Sequence, residues 1–244
     1  MVGRGQDGWD QRLGREREQA GRALRLWGDF PRDPPRRLVL TGQPVWTRGG
    51  FTLRAMKLAY FRRAWRLPAW APREVLELAR ASAAPTPGRG RDAVLPIQAV
   101  KQSATLFDTD RGPLELPAWR LDSSQSVGAI WVLAAEPAER VWAPAETGHG
   151  GRRIQSAEAI SGDSTRLKVT FVGSHPPWVD YPRTEVIETQ RAVAVLPVPH
   201  DAGPPGARAL LGSAREVVAE LQRPIGDRVL VNLDGSPVAV LGTT

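Results

Sequence analysis

Hydrophobic and polar positions alternate most regularly in the last third of the chain. In RLKVTFV, Leu167, Val169 and Phe171 interleave with Arg166, Lys168 and Thr170, the period of a strand with one buried and one wet face. The run Ile154–Ile160 precedes it, and Tyr181–Glu188, Ala192–Val198 and Ser213–Leu221 follow. Ala192–Val198 is almost continuously apolar, which predicts a central strand. The closing VLVNL-DG-SPVAVL sets two apolar runs about Asp234-Gly235, the signature of a two-residue hairpin turn.

Earlier segments are more mixed. Val94–Phe107 and Leu114–Leu121 read as strands around the polar turn DTDRG, Ala129–Ala134 as a short apolar strand, and Arg37–Val45 as the strand that opens the ordered part. Residues 71–80 carry helix formers behind Pro72, a favoured first-turn residue. Phe51–Trp65 fits either a strand or a helix with Ala55, Met56, Ala59, Tyr60 and Arg63 on one face. Residues 1–36 offer few apolar anchors, Leu13, Leu24, Leu26 and Trp27, before DFPRDPPRR, whose prolines end any helix. They read as a basic, flexible arm with one optional short helix.

The tetrapeptide LPAW occurs at Leu67–Trp70 and again at Leu116–Trp119, but the first leads into helix formers and the second lies in a strand, so the flanks argue against duplication. The expected fold is mainly β, α+β overall. It divides into the arm 1–36, a mixed α+β domain 37–136, a linker 137–153 rich in Pro, Gly and charge, and an antiparallel β-meander or sandwich-like domain 154–244.

Charge is uneven. Residues 1–91 hold 19 basic and 8 acidic side chains, whereas residues 92–244 hold 14 and 18. A basic first third raises an anionic partner, nucleic acid or a membrane surface. Only Lys57, Lys101 and Lys168 are lysines among 33 basic residues, a bias better explained by GC-rich codon usage than by phosphate binding. Cysteine is absent, which excludes disulfides and thiolate chemistry. No apolar run approaches the ~20 residues of a membrane span, and the polar start has no apolar leader segment. As written, the chain is expected in the cytoplasm.

Chemical motifs are sparse. His149, His175 and His200 are isolated beside Gly or Pro and read as loop residues. GRGRD at Gly88–Asp92 precedes no GK[ST] and reads as a loop rather than a phosphate cradle. Asp180, Glu185 and Glu188 lie close in sequence, but on a strand Glu185 and Glu188 point to opposite faces. Asp180 and Glu188 could share a side, yet all three read as solvated strand residues. Asp108 and Asp110 flank a turn without a calcium-loop ligand set. Nine tryptophans stand against two tyrosines. Trp65, Trp119, Trp131 and Trp142 read as packing residues. Trp9, Trp27, Trp46, Trp65 and Trp70 share the arginine-rich first third, where cation–π contacts would suit an interaction surface. No catalytic, cofactor-binding or metal-binding residue is assigned, and no cofactor is expected.

Five segments in order, LVLTGQPV, TDRGPLELPAW, TRLKVTFVG, VDY and RPIGDRVLV, resemble a group of uncharacterised secreted proteins and lipoproteins of Streptomyces-type actinobacteria. The resemblance spans most of residues 38–241 and implies an exported, envelope-associated protein without a known catalytic residue. Where that group often carries cysteine before its DY, this chain has Trp178 and Val179, and residues 209–214 supply no second cysteine. The group's disulfide, export signal and lipobox are missing here, so an envelope or secreted location would require a different start. The function expected is binding or interaction with an unidentified protein or envelope component. The alternatives are a carbohydrate-active enzyme whose carboxylates meet only in the fold, and an anionic-surface binder.

Overall fold

The computed structural model describes residues 4–81, 93–144, 154–160, 163–202 and 212–242. In chain order the elements are α1 Arg4–Leu26, β1 Val45–Thr47, α2 Arg54–Phe61, β2 Trp65–Arg66, α3 Arg73–Ala81, β3 Leu95–Pro96, β4 Ala99–Thr109, β5 Gly112–Asp122 and β6 Ile130–Leu133. There follow α4 Ala135–Glu139, β7 Ile154–Ile160, β8 Asp163–Ser174, β9 Val179–Glu188, β10 Ala192–Asp201, β11 Gly212–Glu220, β12 Val229–Val231, β13 Pro237–Val238 and β14 Val240–Leu241. The mainly β, α+β expectation holds. The loop readings at Gly88–Asp92 and His149 lie outside the described residues, as does most of the expected linker.

Two compact units emerge, and neither is a continuous stretch. The first comprises Met1–Thr41, Thr109–Gly112 and Trp142–Thr244; the second comprises Gly42–Asp108 and Pro113–Val141. The expected sequential boundaries at 36 and 137–153 are therefore replaced by interleaved segments.

The first unit is a β-sandwich with a helix on one outer face. One sheet runs β13-β12-β10-β9 and the other β11-β8-β7-β14. Between them lies a core that includes Leu167, Val169, Phe171, Val193, Val195 and Leu230. The alternation in β8 thus points its apolar set inward, as expected. The opposite face of β10 presents Ala192, Ala194, Leu196 and Val198 to a second core shared with Leu13, Ala20, Ala23, Leu24 and Trp27 of the N-terminal segment. Covered on both faces and flanked by β9 and β12, β10 is the central strand its composition predicts.

The flexible-arm reading of residues 1–36 is overturned by that second core. α1 is 23 residues long, and its buried positions recur at three- and four-residue steps through the small residues Ala20 and Ala23. Counting only Leu and Trp hides this stripe, because alanine anchors a helix by letting its backbone approach the sheet. Gly8, Gly14 and Gly21 each weaken an isolated helix by ~1 kcal/mol, a cost that burial against β10 offsets.

The meander expectation also needs revision. β10 pairs with β12 in parallel, Ala192 opposite Val229, and β14 pairs with β7 in parallel, Val240 opposite Ala157. Parallel pairing follows from topology: β11 leaves to join β8 in the other sheet, so β12 returns to β10 through a crossover. The final hairpin forms, but its loop is longer than two residues. Asn232 and Gly235 close a turn through Gly235 N–H to Asn232 O at 2.9 Å, and Asn232 N–H reaches Ser236 O at 2.9 Å. Gly235 has φ +81°, the left-handed residue of a three-residue loop with a bulge.

The second unit is built on a four-stranded sheet, β1-β6-β5-β4, with a two-stranded pair β2-β3. The expected strand Arg37–Val45 is absent as a strand; β1 begins only at Val45. Phe51–Trp65 resolves as α2 followed by β2, with Ala59, Tyr60 and Arg63 buried but Ala55 exposed. α2 ends in a two-bond C-terminal cap: Ala64 N–H bonds Ala59 O at 3.0 Å and Arg63 N–H bonds Tyr60 O at 3.1 Å. Arg63 occupies the left-handed cap position with φ 54°, where glycine is usual. Its guanidinium compensates by lying 4.8 Å from the Tyr60 ring and 5.5 Å from the Trp65 ring, with Nη1 donating to Tyr60 O at 2.8 Å.

Candidate functional site

The second unit contains an apolar cleft of about 260 Å³ lined by Pro44, Val45, Leu78, Ala81, Val132, Leu133, Ala138 and Val141. Strand pairing fixes one wall. Val45 lies opposite Val132, and Leu133 N–H bonds Pro44 O at 2.9 Å. The other walls come from the end of α3 and from the α4 segment. α3 buries Val75 and Ala79 in the core and leaves Leu76 and Leu78 half-buried, so its apolar arc is wider than the core requires. That width was the only sequence signal for this site; the strand residues were legible only as core.

Every lining side chain is aliphatic, so the cleft can desolvate an apolar group but offers no acid, base or metal ligand. The same unit carries most of the large apolar side chains that are exposed among the described residues, including Leu53, Phe61 and Trp70. Trp70 belongs to the first LPAW and is 65% exposed, whereas Trp119 of the second is 8% exposed within β5.

A polar cleft of about 500 Å³ lies in the first unit, lined by Arg166, Arg183, Thr184, Val186, Glu188, Val218, Glu220 and Gln222. No tryptophan lines it. Its one deeply buried carboxylate, Glu188, is fully engaged: Oε1 accepts Gln222 N–H at 2.6 Å and Oε2 accepts Arg228 Nη1. Arg228 in turn donates Nη2 to the carbonyls of Arg223 and Pro224 at 2.6 and 2.9 Å.

The other sequence-selected carboxylates are held in the same manner. Glu185 accepts two hydrogen bonds from Arg17, both 2.7 Å. The Arg17 hydrogen bond holds its carboxyl below the usual carboxylate range, opposite to the upward shift a general acid uses. Asp180 accepts Arg215 Nη2 at 3.1 Å. Glu185 reaches α1 while Glu188 faces the polar cleft, so the two do point to opposite faces as the strand period predicts. The structure pairs each of the three with its own arginine and does not bring them together.

Asp110 proves to be structural. It is 1% exposed and is gripped by Arg36 through both oxygens, with Arg111 Nη1 3.5 Å away. Burial lowers the Arg111 pKa, partly offset by Asp110. Arg111 also donates to Gly226 O and Arg228 O at 2.6 and 2.7 Å. Several arginines of the basic first third thus have internal partners, and the tryptophans beside them are mostly packed: Trp27 is fully buried, Trp65 is 6% exposed, and Trp9 donates to Asp201 at 2.8 Å. Trp46 stacks on Trp131 at 6.1 Å, and Trp142 lies 4.6 Å from Trp27.

His175 and His200 are exposed. Among the described residues no group of three His, Asp or Glu is placed to hold a metal, and no helix is long and apolar enough to cross a membrane. The chain matches no family model, no curated protein and no solved structure.

Proposed function

We propose that this chain is a non-catalytic interaction protein whose second unit receives an apolar side chain from a protein partner. The carrying observation is the wholly aliphatic cleft of about 260 Å³. That volume falls just below the ~300–1,000 Å³ of small-molecule pockets and suits one anchoring side chain of the kind that dominates protein interfaces. The absence of polar side chains from the lining supports an anchor rather than an oriented substrate. Exposed Leu53, Phe61 and Trp70 in the same unit provide further apolar area for contact. The segment order that resembles exported actinobacterial proteins supports a partner at the cell envelope.

The test uses indole as a stand-in for a partner tryptophan. Methyl resonances of Val45, Leu78, Val132, Leu133 and Val141 are followed during titration of the full chain. They are expected to shift together, and Ala138→Phe, which fills the cleft, is expected to abolish the response. Shifts absent at millimolar indole, or unaltered by the filling substitution, would refute the proposal.

A further inference from the structure

Among the described residues, one edge of the second unit's sheet is left open. β4 spans 11 residues at the end of the order β1-β6-β5-β4. Along it Lys101, Gln102, Ser103, Ala104 and Leu106 are exposed and Thr105 is half-buried, so neither face is covered over this window. Gly42 N–H bonds Asp108 O at 3.4 Å and closes the edge at its far end. Between Lys101 and Leu106, the described residues supply no strand on the side away from β5. Edge strands are usually blunted by proline, charge or cover. Here there is no proline in β4, and the charges are Lys101 at one end and Asp108 at the other.

We propose that the open edge of β4 pairs with the same edge of a second copy of this chain, antiparallel about a two-fold axis at Ala104. Three observations select that occupant. An antiparallel arrangement about Ala104 sets Lys101 of one copy opposite Phe107 and beside Asp108 of the other, whereas a parallel one would set lysine beside lysine. The Gly42 contact stops each strand from sliding past residue 107 of its neighbour, so both ends of the paired window are bounded alike. The centre holds only Ser103, Ala104 and Thr105, small side chains that pair across strands without steric cost. A single pair of short strands buries less than the ~1,200–2,000 Å² of a stable interface, so the dimer is weak and concentration-dependent.

The chain has no cysteine, which makes a cysteine scan clean. Neighbouring antiparallel strands hold paired Cα atoms about 4.5–5.5 Å apart, within disulfide reach of about 4.4–6.8 Å. Ala104→Cys is expected to give an oxidised dimer, faster than Val127→Cys, a control at a 65% exposed position. Sedimentation equilibrium of the unmodified chain should show concentration-dependent dimerisation, weakened about fivefold or more by Ala104→Lys, which opposes like charges near the axis. Circular dichroism establishes that each variant is folded. A chain that stays monomeric, with the central cysteine no more reactive than the control, overturns the proposal and leaves the edge to a strand from another protein. A dimer indifferent to Ala104→Lys overturns it equally, because the contact then lies on another face.

Discussion

Replacing Trp27 tests the claim that the N-terminal helix is an integral layer. The indole is fully buried, packs edge-on to Phe30 at 5.7 Å and lies 4.6 Å from Trp142. Its Nε1 donates to Gly235 O at 2.8 Å, across 208 positions of sequence. A buried tryptophan removes ~150–250 Å² from water, which at ~25 cal/mol per Å² corresponds to ~4–6 kcal/mol. Alanine retains a little of that area but leaves a cavity and an unsatisfied carbonyl, so Trp27→Ala should cost about 4 kcal/mol. That is a large share of the ~5–15 kcal/mol that separates a folded domain from its unfolded chain. Trp27→Phe keeps most of the ring and loses the hydrogen bond, and should cost ~1–2 kcal/mol. Urea denaturation followed by far-ultraviolet circular dichroism reads both values without relying on the fluorescence of the other tryptophans. A cost below ~1 kcal/mol for the alanine variant would mean that α1 is not docked on β10 in solution and that the flexible-arm reading was right.

Four further outcomes follow from the same geometry. Glu188→Ala strands the buried Arg228 guanidinium and should lower stability by ~3–5 kcal/mol, measured by denaturant midpoint, with much of that loss relieved in an Arg228→Met, Glu188→Leu double variant. Glu185 has a lowered folded pKa from the Arg17 hydrogen bond, so its contribution is present above the unfolded pKa and fades as pH falls through the folded value. Carboxyl NMR titration should show that pKa move up toward the ordinary range in Arg17→Ala; an unmoved titration would dissociate the pair. Gly235→Ala combines a left-handed φ with a Cβ 2.7 Å from Leu26 Cδ1 and should destabilise by more than ~1 kcal/mol. At position 63, alanine should be less stable than glycine, because both lose the ring contacts but only alanine retains the ~1–2 kcal/mol cost of the left-handed cap; thermal melts ranking alanine above glycine would refute the cap reading.

The β architecture was legible because its signals are local. Leu167, Val169 and Phe171 declare their inward face by period alone, and the apolar run from Ala192 declares a central strand. What sequence could not show was which surface covers the second face of β10, since that cover, α1, comes from the opposite end of the chain and anchors through alanines. The opposed directions of Glu185 and Glu188 were readable from parity, but their arginines, Arg17 and Arg228, were not, being 168 and 40 positions away. The aliphatic cleft left almost no trace, because Val45, Val132 and Leu133 carry the same pattern whether they line a cavity or fill a core. Arg63 reads in sequence as one member of a helical face; its cap role depends on a backbone angle no composition reveals.

The interleaving of the two units also dictates an order of events at the ribosome. The second unit has all its residues once Val141 has been made, whereas the first begins with α1 and cannot close its second core until Val229–Leu233 and Gly235 have appeared. At ~5–20 residues per second, α1 waits roughly 10–40 s for the last residues of the core it joins. During that interval the core around Leu13, Leu24 and Trp27 lacks part of its native cover. The arginines on the exposed side of α1, Arg12, Arg15, Arg17, Arg22 and Arg25, then serve a second purpose: they keep an incompletely covered helix charged and soluble until its sheet is finished.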